Sequence, residues 1–231
     1  MSPLGRNEGK QDTTQGEHPQ TTGMLYFTRH GETLWNLEGR FQGRGNSELT
    51  ERGKMQAARL GAILDEEGID LVVSSPLGRA RHTAQLALGE RSIPLLFLNE
   101  LMEMDLGAWE GCALAQLKEL EPENFYRYWH KPFDYVTRRG ESFEALITRV
   151  RQALQKLVPL SRGRRVLVVT HGMTLMALVH LLSGDPLEDI IVRPVLAQTS
   201  ITRVAFTCGT QGEACYRIQS LGDTRHFLEE V

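Results

Sequence analysis

Along the 231 residues, short apolar runs rich in β-branched side chains alternate with longer stretches of helical spacing. Residues 24–28, 69–74, 93–98 and 166–170 are the runs. Their near-continuous apolar character predicts strands buried on both faces, as in a parallel sheet. Thr50 reads as an N-cap, opening a helix that carries Met55, Ala58, Ala62 and neighbouring apolar residues up to Leu64. Pro76 is expected in the first turn of a helix running through Ala87. Phe143, Leu146, Ile147, Val150, Leu154 and Leu157 mark an amphipathic helix, and a further helix spans about 173–182. Residues 200–207 and 214–220 flank a Gly-containing segment and read as a terminal hairpin.

This order predicts an α/β three-layer sandwich: a mostly parallel sheet, helices on both faces and one antiparallel strand at an edge. No convincing strand occurs between Met104 and Leu160, so that stretch is expected to be a helical cap insertion over one edge of the sheet. Residues 1–22 are polar, with almost nothing apolar to bury, and are expected to form a disordered tail. Residues 23–231 then form a single domain without internal repeats.

Charge narrows the functional classes. Twenty-six Lys and Arg against 29 Asp and Glu leave a net charge of −3, with both signs scattered, which makes no electrostatic case for nucleic acid. No apolar run approaches the roughly 20 residues needed to span a bilayer, so no membrane partner is expected. The N-terminus lacks the apolar core of a signal peptide, and the cytoplasm is the expected compartment. Cys112, Cys208 and Cys215 have no metal-ligand spacing; Cys208 and Cys215 could face each other across the hairpin, but reduced thiols are expected.

Two of the strands run directly into histidine followed by glycine: Arg29-His30-Gly31 and Thr170-His171-Gly172. Ligands of open α/β sheets collect at the carboxyl ends of strands, so both imidazoles and Arg29 fall where chemistry is expected. A single His-Gly turn would be uninformative; two at equivalent strand ends, one preceded by Arg, point to a histidine pair serving a phosphate. A transferring phosphoryl group needs positive charge and positioning, which the planar fork of arginine provides. Arg29 and Arg79, the latter just past the second strand, are the candidates, whereas Arg81 reads as a solvated helix position. A neutral histidine with one free ring nitrogen can act as nucleophile. Zinc is the rival reading, but no HxH or HExxH spacing occurs, and His18, His82, His130, His180 and His226 read as surface or packing residues. The leaving alkoxide needs a proton, for which Glu100, Glu103 and Asp105 compete on residue type alone.

The motifs in order resemble a known family. Arg29-His30-Gly31-Glu32-Thr33 with Asn36, Gln42-Gly43, and Leu49-Thr50 with Gly53 form the first. Ser75-Pro76-Leu77 with Arg79-Ala80 and Thr83-Ala84 form the second, and Glu103, Gly107 and Trp109-Glu110-Gly111 the third. Gly140-Glu141-Ser142 and Val169-Thr170-His171-Gly172 complete the set. Together they resemble the histidine phosphatase superfamily, the phosphoglycerate mutase-like proteins, over nearly everything from Met24 to about Ile201. The resemblance implies that His30 is phosphorylated during turnover and that Glu103 is the proton donor. It also implies that His171, Arg29 and Arg79 stabilise the transferring group, with Asn36, Gln42, Gly43 and the Gly172 amide completing the phosphate pocket. No metal and no cofactor is implied. Asn46, Glu48 and Gln198 depart from frequent family residues and bear on substrate fit rather than catalysis.

Mutases of the superfamily resemble one another in a longer basic insertion after the third motif. Here that run is compact and acidic at first (Lys118-Glu119-Leu120-Glu121-Pro122-Glu123), which resembles the phosphatase branch. The expected activity is metal-independent phosphomonoester hydrolysis of a small phosphorylated metabolite, with α-ribazole phosphate, phosphoglycerates and sugar phosphates as candidates. A mutase-type phosphotransferase and a non-catalytic phosphate-binding module are the alternatives. Aromatic residues 125–135 could stack an aromatic substrate, though packing a small cap core is the simpler expectation. A homodimer is admitted by the sequence but not required.

Overall fold

The computed structural model describes residues 21–191, 193–209 and 213–227. Strand β1 (Thr21–Arg29) is followed by α1 (Leu34–Leu37), α2 (Glu51–Glu66), β2 (Leu71–Ser74), α3 (Gly78–Leu88) and β3 (Leu95–Phe97). The insertion holds α4 (Leu114–Leu120), α5 (Pro122–His130) and α6 (Phe143–Leu160). The chain returns to the sheet with β4 (Arg165–Thr170), α7 (Gly172–Ser183), β5 (Ile201–Cys208) and β6 (Ala214–Asp223). Together they form one six-stranded sheet of order β3-β2-β4-β1-β5-β6. The first four strands in that order are parallel, and β5 and β6 are antiparallel additions. The α/β class and the helices on both faces agree with the sequence; the antiparallel part is a two-strand flank rather than one edge strand.

Side-chain alternation sorts the strands into two cores. Leu25, Phe27, Val73, Val166 and Val168 pack beneath α6 and α7. Tyr26, Val72, Leu167 and Val169 pack against α2 and α3. The buried face of α2 carries Gly53, Ala57, Leu60, Gly61, Ile63 and Leu64. Of the apolar residues named for this helix, Met55 is 53% exposed, and Ala58 and Ala62 also face solvent. Both stripes have helical spacing, but only the buried one carries the large branched side chains whose burial outweighs that of a lone methionine. Pro76 precedes α3 rather than lying in its first turn: the N-cap is Leu77, whose amide donates to Ser75 Oγ at 3.2 Å.

Residues 1–20 of the expected tail lie outside the described residues. Thr21 and Thr22 belong to β1, pairing with Cys208 and Thr207, so the sheet begins two residues earlier than composition indicated. Cys208 lies opposite Ala214 and Cys215 opposite Thr207. With Cys208 buried and Cys215 exposed on the other face, the two thiols do not meet, and both are free. Among the described residues no helix is long and apolar enough to cross a membrane.

The insertion closes over the carboxyl-end rim, not over a lateral edge: Leu96 and Phe97 on β3 remain exposed. Phe41, from the loop after α1, ties cap to rim. Its ring stacks on Trp109 at 5.6 Å and meets Tyr128 edge-on at 5.3 Å. Tyr128 also packs on Tyr135 and Phe143, so most cap aromatics form a packed core, as the simpler expectation held.

At the rim two backbones touch. A Cβ on Gly31 would sit 2.4 Å from the Gly53 carbonyl, and one on Gly53 would sit 2.0 Å from the Glu32 carbonyl. That Glu32 carbonyl is itself held by the Thr50 amide at 2.9 Å and cannot swing away freely. Gly53→Ala is therefore expected to lower unfolding stability by about 2 kcal/mol in urea titrations, since an overpacking cost of ~1–3 kcal/mol exceeds a gain in helix propensity of at most ~1 kcal/mol. An unchanged or raised urea midpoint would contradict the tight crossing.

Candidate active site

Strands β1 and β4 are parallel neighbours in a register that pairs Arg29 with Thr170. The residues that follow, His30 and His171, therefore emerge side by side although they are far apart in sequence. Their ring centroids are 5.3 Å apart, and the His30 amide donates to the Thr170 carbonyl at 2.9 Å. Both rings are buried.

His30 Nδ1 lies 2.7 Å from its neighbour's carbonyl, Gly31 O. Since a carbonyl only accepts, Nδ1 carries the proton and Nε2 keeps its lone pair. Arg79 Nε donates to that Nε2 at 3.1 Å. Burial, and then the charges of Arg79 and Arg29, hold the His30 pKa well below 6.5. The ring is thus neutral, with the nitrogen a nucleophile needs facing the guanidinium. Gly31 is fixed by Thr83, whose hydroxyl accepts the Gly31 amide at 3.0 Å and donates to the Arg79 carbonyl at 2.7 Å.

His171 Nε2 meets Ser75 Oγ at 2.7 Å, and Ser75 Oγ also accepts the Leu77 amide at 3.2 Å. A hydroxyl donates once and accepts twice, so this contact is compatible with the imidazole proton on Nε2 or on Nδ1. That Nδ1 is buried with no partner. Burial and the neighbouring cations, Arg79 first, keep this ring neutral as well.

Arg79 is 2% exposed. Its Nη1 and Nη2 donate to the carbonyls of Gly45 and Gly43, each at 2.7 Å, so it shapes the loop carrying Gln42. Burial lowers its pKa to about 10, which still leaves it charged at neutrality. Arg29 donates from Nη1 to the Leu196 carbonyl at 3.2 Å, while its buried Nε has no partner. Among the described residues neither guanidinium forms an ion pair with a carboxylate; Glu103 is the anion both feel most. Buried cations without counterions are costly. Together with the unpartnered Arg29 Nε, His171 Nδ1 and Gln42 Oε1, they describe a site built for an anion.

Glu103 is held at the N-terminus of α7. Its Oε2 accepts the Met173 amide at 3.1 Å, and its Oε1 accepts the Thr174 amide at 3.1 Å and the Met104 amide at 2.9 Å. Glu103 lines the same cavity as Arg29, His30, Gln42, Gly43 and Arg79. Asn36 and Gly172 also line it, and His171 packs against His30 behind it. Glu100 and Asp105 do not line it: Glu100 pairs with Lys156 at 2.7 Å and Asp105 with Arg44 at 3.4 Å. Of the three candidate carboxylates, Glu103 is the one at this cavity. Arg81 and His82 are exposed, while His180 is buried in α7 away from the pair. Among the described residues no three His, Cys, Asp or Glu side chains are grouped so as to hold a metal ion. Ser75, Thr83 and Thr174 were not assigned roles from sequence, although Ser75 and Thr83 stand inside the second motif.

The model of the histidine phosphatase superfamily, branch 1, matches residues 25–218. The chain belongs to that superfamily. The probable phosphoglycerate mutase GpmB of Escherichia coli is 34% identical over 205 residues, covering 88% of this chain and 94% of the relative. Among solved structures, Bacillus stearothermophilus YhfR has 36% identity and a TM-score of 0.81 over 88% of this chain and 98% of its own. A putative alpha-ribazole-5'-P phosphatase from Escherichia coli has 31% identity and a TM-score of 0.74 over 87% and 97%.

Because their folded-state pKa values are depressed, His30 and His171 bind fewer protons folded than unfolded below pH 6.5. Their contribution to stability is present above that pH and is lost as pH falls. In an NMR titration both rings are expected to stay neutral through 6.5; a midpoint at that ordinary value for either would contradict the burial argument.

Proposed function

We propose that this chain is a phosphomonoesterase that passes the phosphoryl group through His30. The observation that carries the reading is the pair of guanidiniums without carboxylate partners around a neutral, correctly tautomeric imidazole. In the first step His30 Nε2 bonds to phosphorus as the P–O bond to the leaving group breaks, and Glu103 gives that oxygen its proton. In the second, water attacks phosphorus, the N–P bond breaks, and Glu103 recovers a proton from the water. Arg29, Arg79 and His171 stabilise the equatorial oxygens, with Asn36, Gln42 and the backbone at Gly43 and Gly172 framing them. No metal is required by this sequence of steps.

The rest of the cavity supports an uncharged, apolar leaving group. Phe41, Leu106, Leu114, Trp129, Met173 and Val195 line it beyond the phosphate end. The one cation on that side, Arg40, is already bonded to Glu38 at 2.5 Å and to the Gly111 carbonyl at 2.9 Å. A phosphoglycerate carboxylate would share Arg40 with Glu38, whereas an aromatic or aliphatic ring meets the apolar wall directly. An aromatic phosphate such as α-ribazole phosphate fits this wall better than sugar phosphates or phosphoglycerates. The mutase reading is favoured by one finding, the relative named as a probable phosphoglycerate mutase.

Hydrolysis of 4-nitrophenyl phosphate is expected to persist in chelator and to vanish in His30→Ala, with acid-labile label on the wild-type protein during turnover. Activity removed by chelator, or equal in both proteins, would overturn the reading. Benzyl phosphate is expected to exceed 3-phosphoglycerate in kcat/KM by at least about 10-fold, the scale on which apolar contacts discriminate. Isomerisation of 3-phosphoglycerate without phosphate release would instead assign the chain to the mutases.

A further inference from the structure

Arg149 lies on α6 between Leu146 and Val150, both buried, so its guanidinium sits on a stripe where an unpartnered charge would be costly. All five of its N–H groups are engaged. Nε donates to Glu141 Oε1 at 2.8 Å and Nη2 to Glu141 Oε2 at 2.7 Å, a two-pronged ion pair. Nη1 donates to the carbonyls of Glu100 at 2.9 Å and Met102 at 2.7 Å, and Nη2 reaches the Glu103 carbonyl at 3.4 Å. Arg149 does not line the active-site cavity and cannot touch a substrate there. Its targets are the two carbonyls that flank the Glu103 Cα. Glu141, the acidic residue of the fourth motif, is tied to the same loop, because its amide donates to the Asp105 carbonyl at 2.7 Å.

We propose that Arg149, oriented by Glu141, is a positioning residue that aims the Glu103 carboxyl at the leaving oxygen. The inference rests on the reading of Glu103 as proton donor. Glu103 is then held at two points: its carboxyl by the amides at the start of α7, its backbone by a guanidinium on α6. Thr174 bridges them, its hydroxyl donating to the Met102 carbonyl at 2.7 Å and lying 3.2 Å from Glu103 Oε1. Three carbonyls and a carboxylate around one guanidinium suit the fork of arginine; lysine, a point charge on a flexible stem, cannot serve them together. Arg149→Lys keeps the charge and loses the geometry.

The test compares two substrates that share an aromatic ring and differ in how much their leaving group needs a proton. Nitrophenolate leaves without one; the alkoxide of benzyl phosphate does not. In Glu103→Gln, kcat/KM should fall far more for benzyl phosphate than for 4-nitrophenyl phosphate. Arg149→Met and Arg149→Lys should reproduce that split, losing about 10²-fold on benzyl phosphate, the scale of an ångström misplacement, with little change on the aryl ester. Glu141→Gln, isosteric and still able to accept one bond, should lose less in the same direction and guards against misfolding of the Arg149 variants. The double variant Glu103→Gln/Arg149→Met should be no worse on benzyl phosphate than Glu103→Gln alone. Equal losses on both substrates, or additive losses in the double variant, would overturn the positioning role while leaving Glu103 as donor. A Glu103→Gln variant indifferent to the leaving group would overturn both readings.

Discussion

The rim of this sheet is organised by positive charge left without a carboxylate. Arg79 is buried and Arg29 largely so, yet neither forms an ion pair among the described residues. What holds them is backbone carbonyls, at Gly43, Gly45 and Leu196, which orient a guanidinium without cancelling its charge. Much of the local structure follows. The glycine-bearing loop must present its carbonyls inward to Arg79. His30 is held neutral first by burial and then by the two cations that a positive ring there would face. Thr83 must bind both the Gly31 amide and the Arg79 carbonyl to keep nucleophile and cation in register.

Around that centre the fold separates two tasks. The sheet and α2 and α3 fix the imidazoles and arginines through parallel register and two glycines in backbone contact. The insertion fixes the Glu103 side of the cavity: α6 reaches the Glu103 loop through Arg149, and Phe41 and Trp109 join cap and rim in one aromatic core. The cap is therefore continuous with the sheet's own core rather than a separate lid, and the apolar wall of the cavity is the inner surface of that shared packing.

Strand ends were readable because a buried parallel strand closed by His-Gly has few other meanings, and both histidines lie where the apolar runs placed them. For α2 the sequence marks the helix but not its buried stripe, because Met55, Ala58 and Ala62 have helical spacing too, and nothing local says which stripe meets the sheet. Among Glu100, Glu103 and Asp105 residue type could not discriminate, since all three follow β3 and any could reach the rim. Arg149 left a faint signal, a charge on an otherwise apolar helical face, that is ordinary unless its partners are known.

The sequence by itself determined the order of strands and helices, the α/β class, and which residues stand at strand ends, because burial periodicity and chain direction are local properties. The contact of Arg79 with His30, the amide cradle around the Glu103 carboxylate, the carbonyl cradle of Arg79 and the apolar wall were decided only by tertiary structure. Each depends on groups far apart in the chain: Arg79 meets His30, Ser75 meets His171, and the α7 amides meet Glu103. Hydrogen bonds act over about 3 Å, and only the folded sheet and its cap bring those partners within that reach.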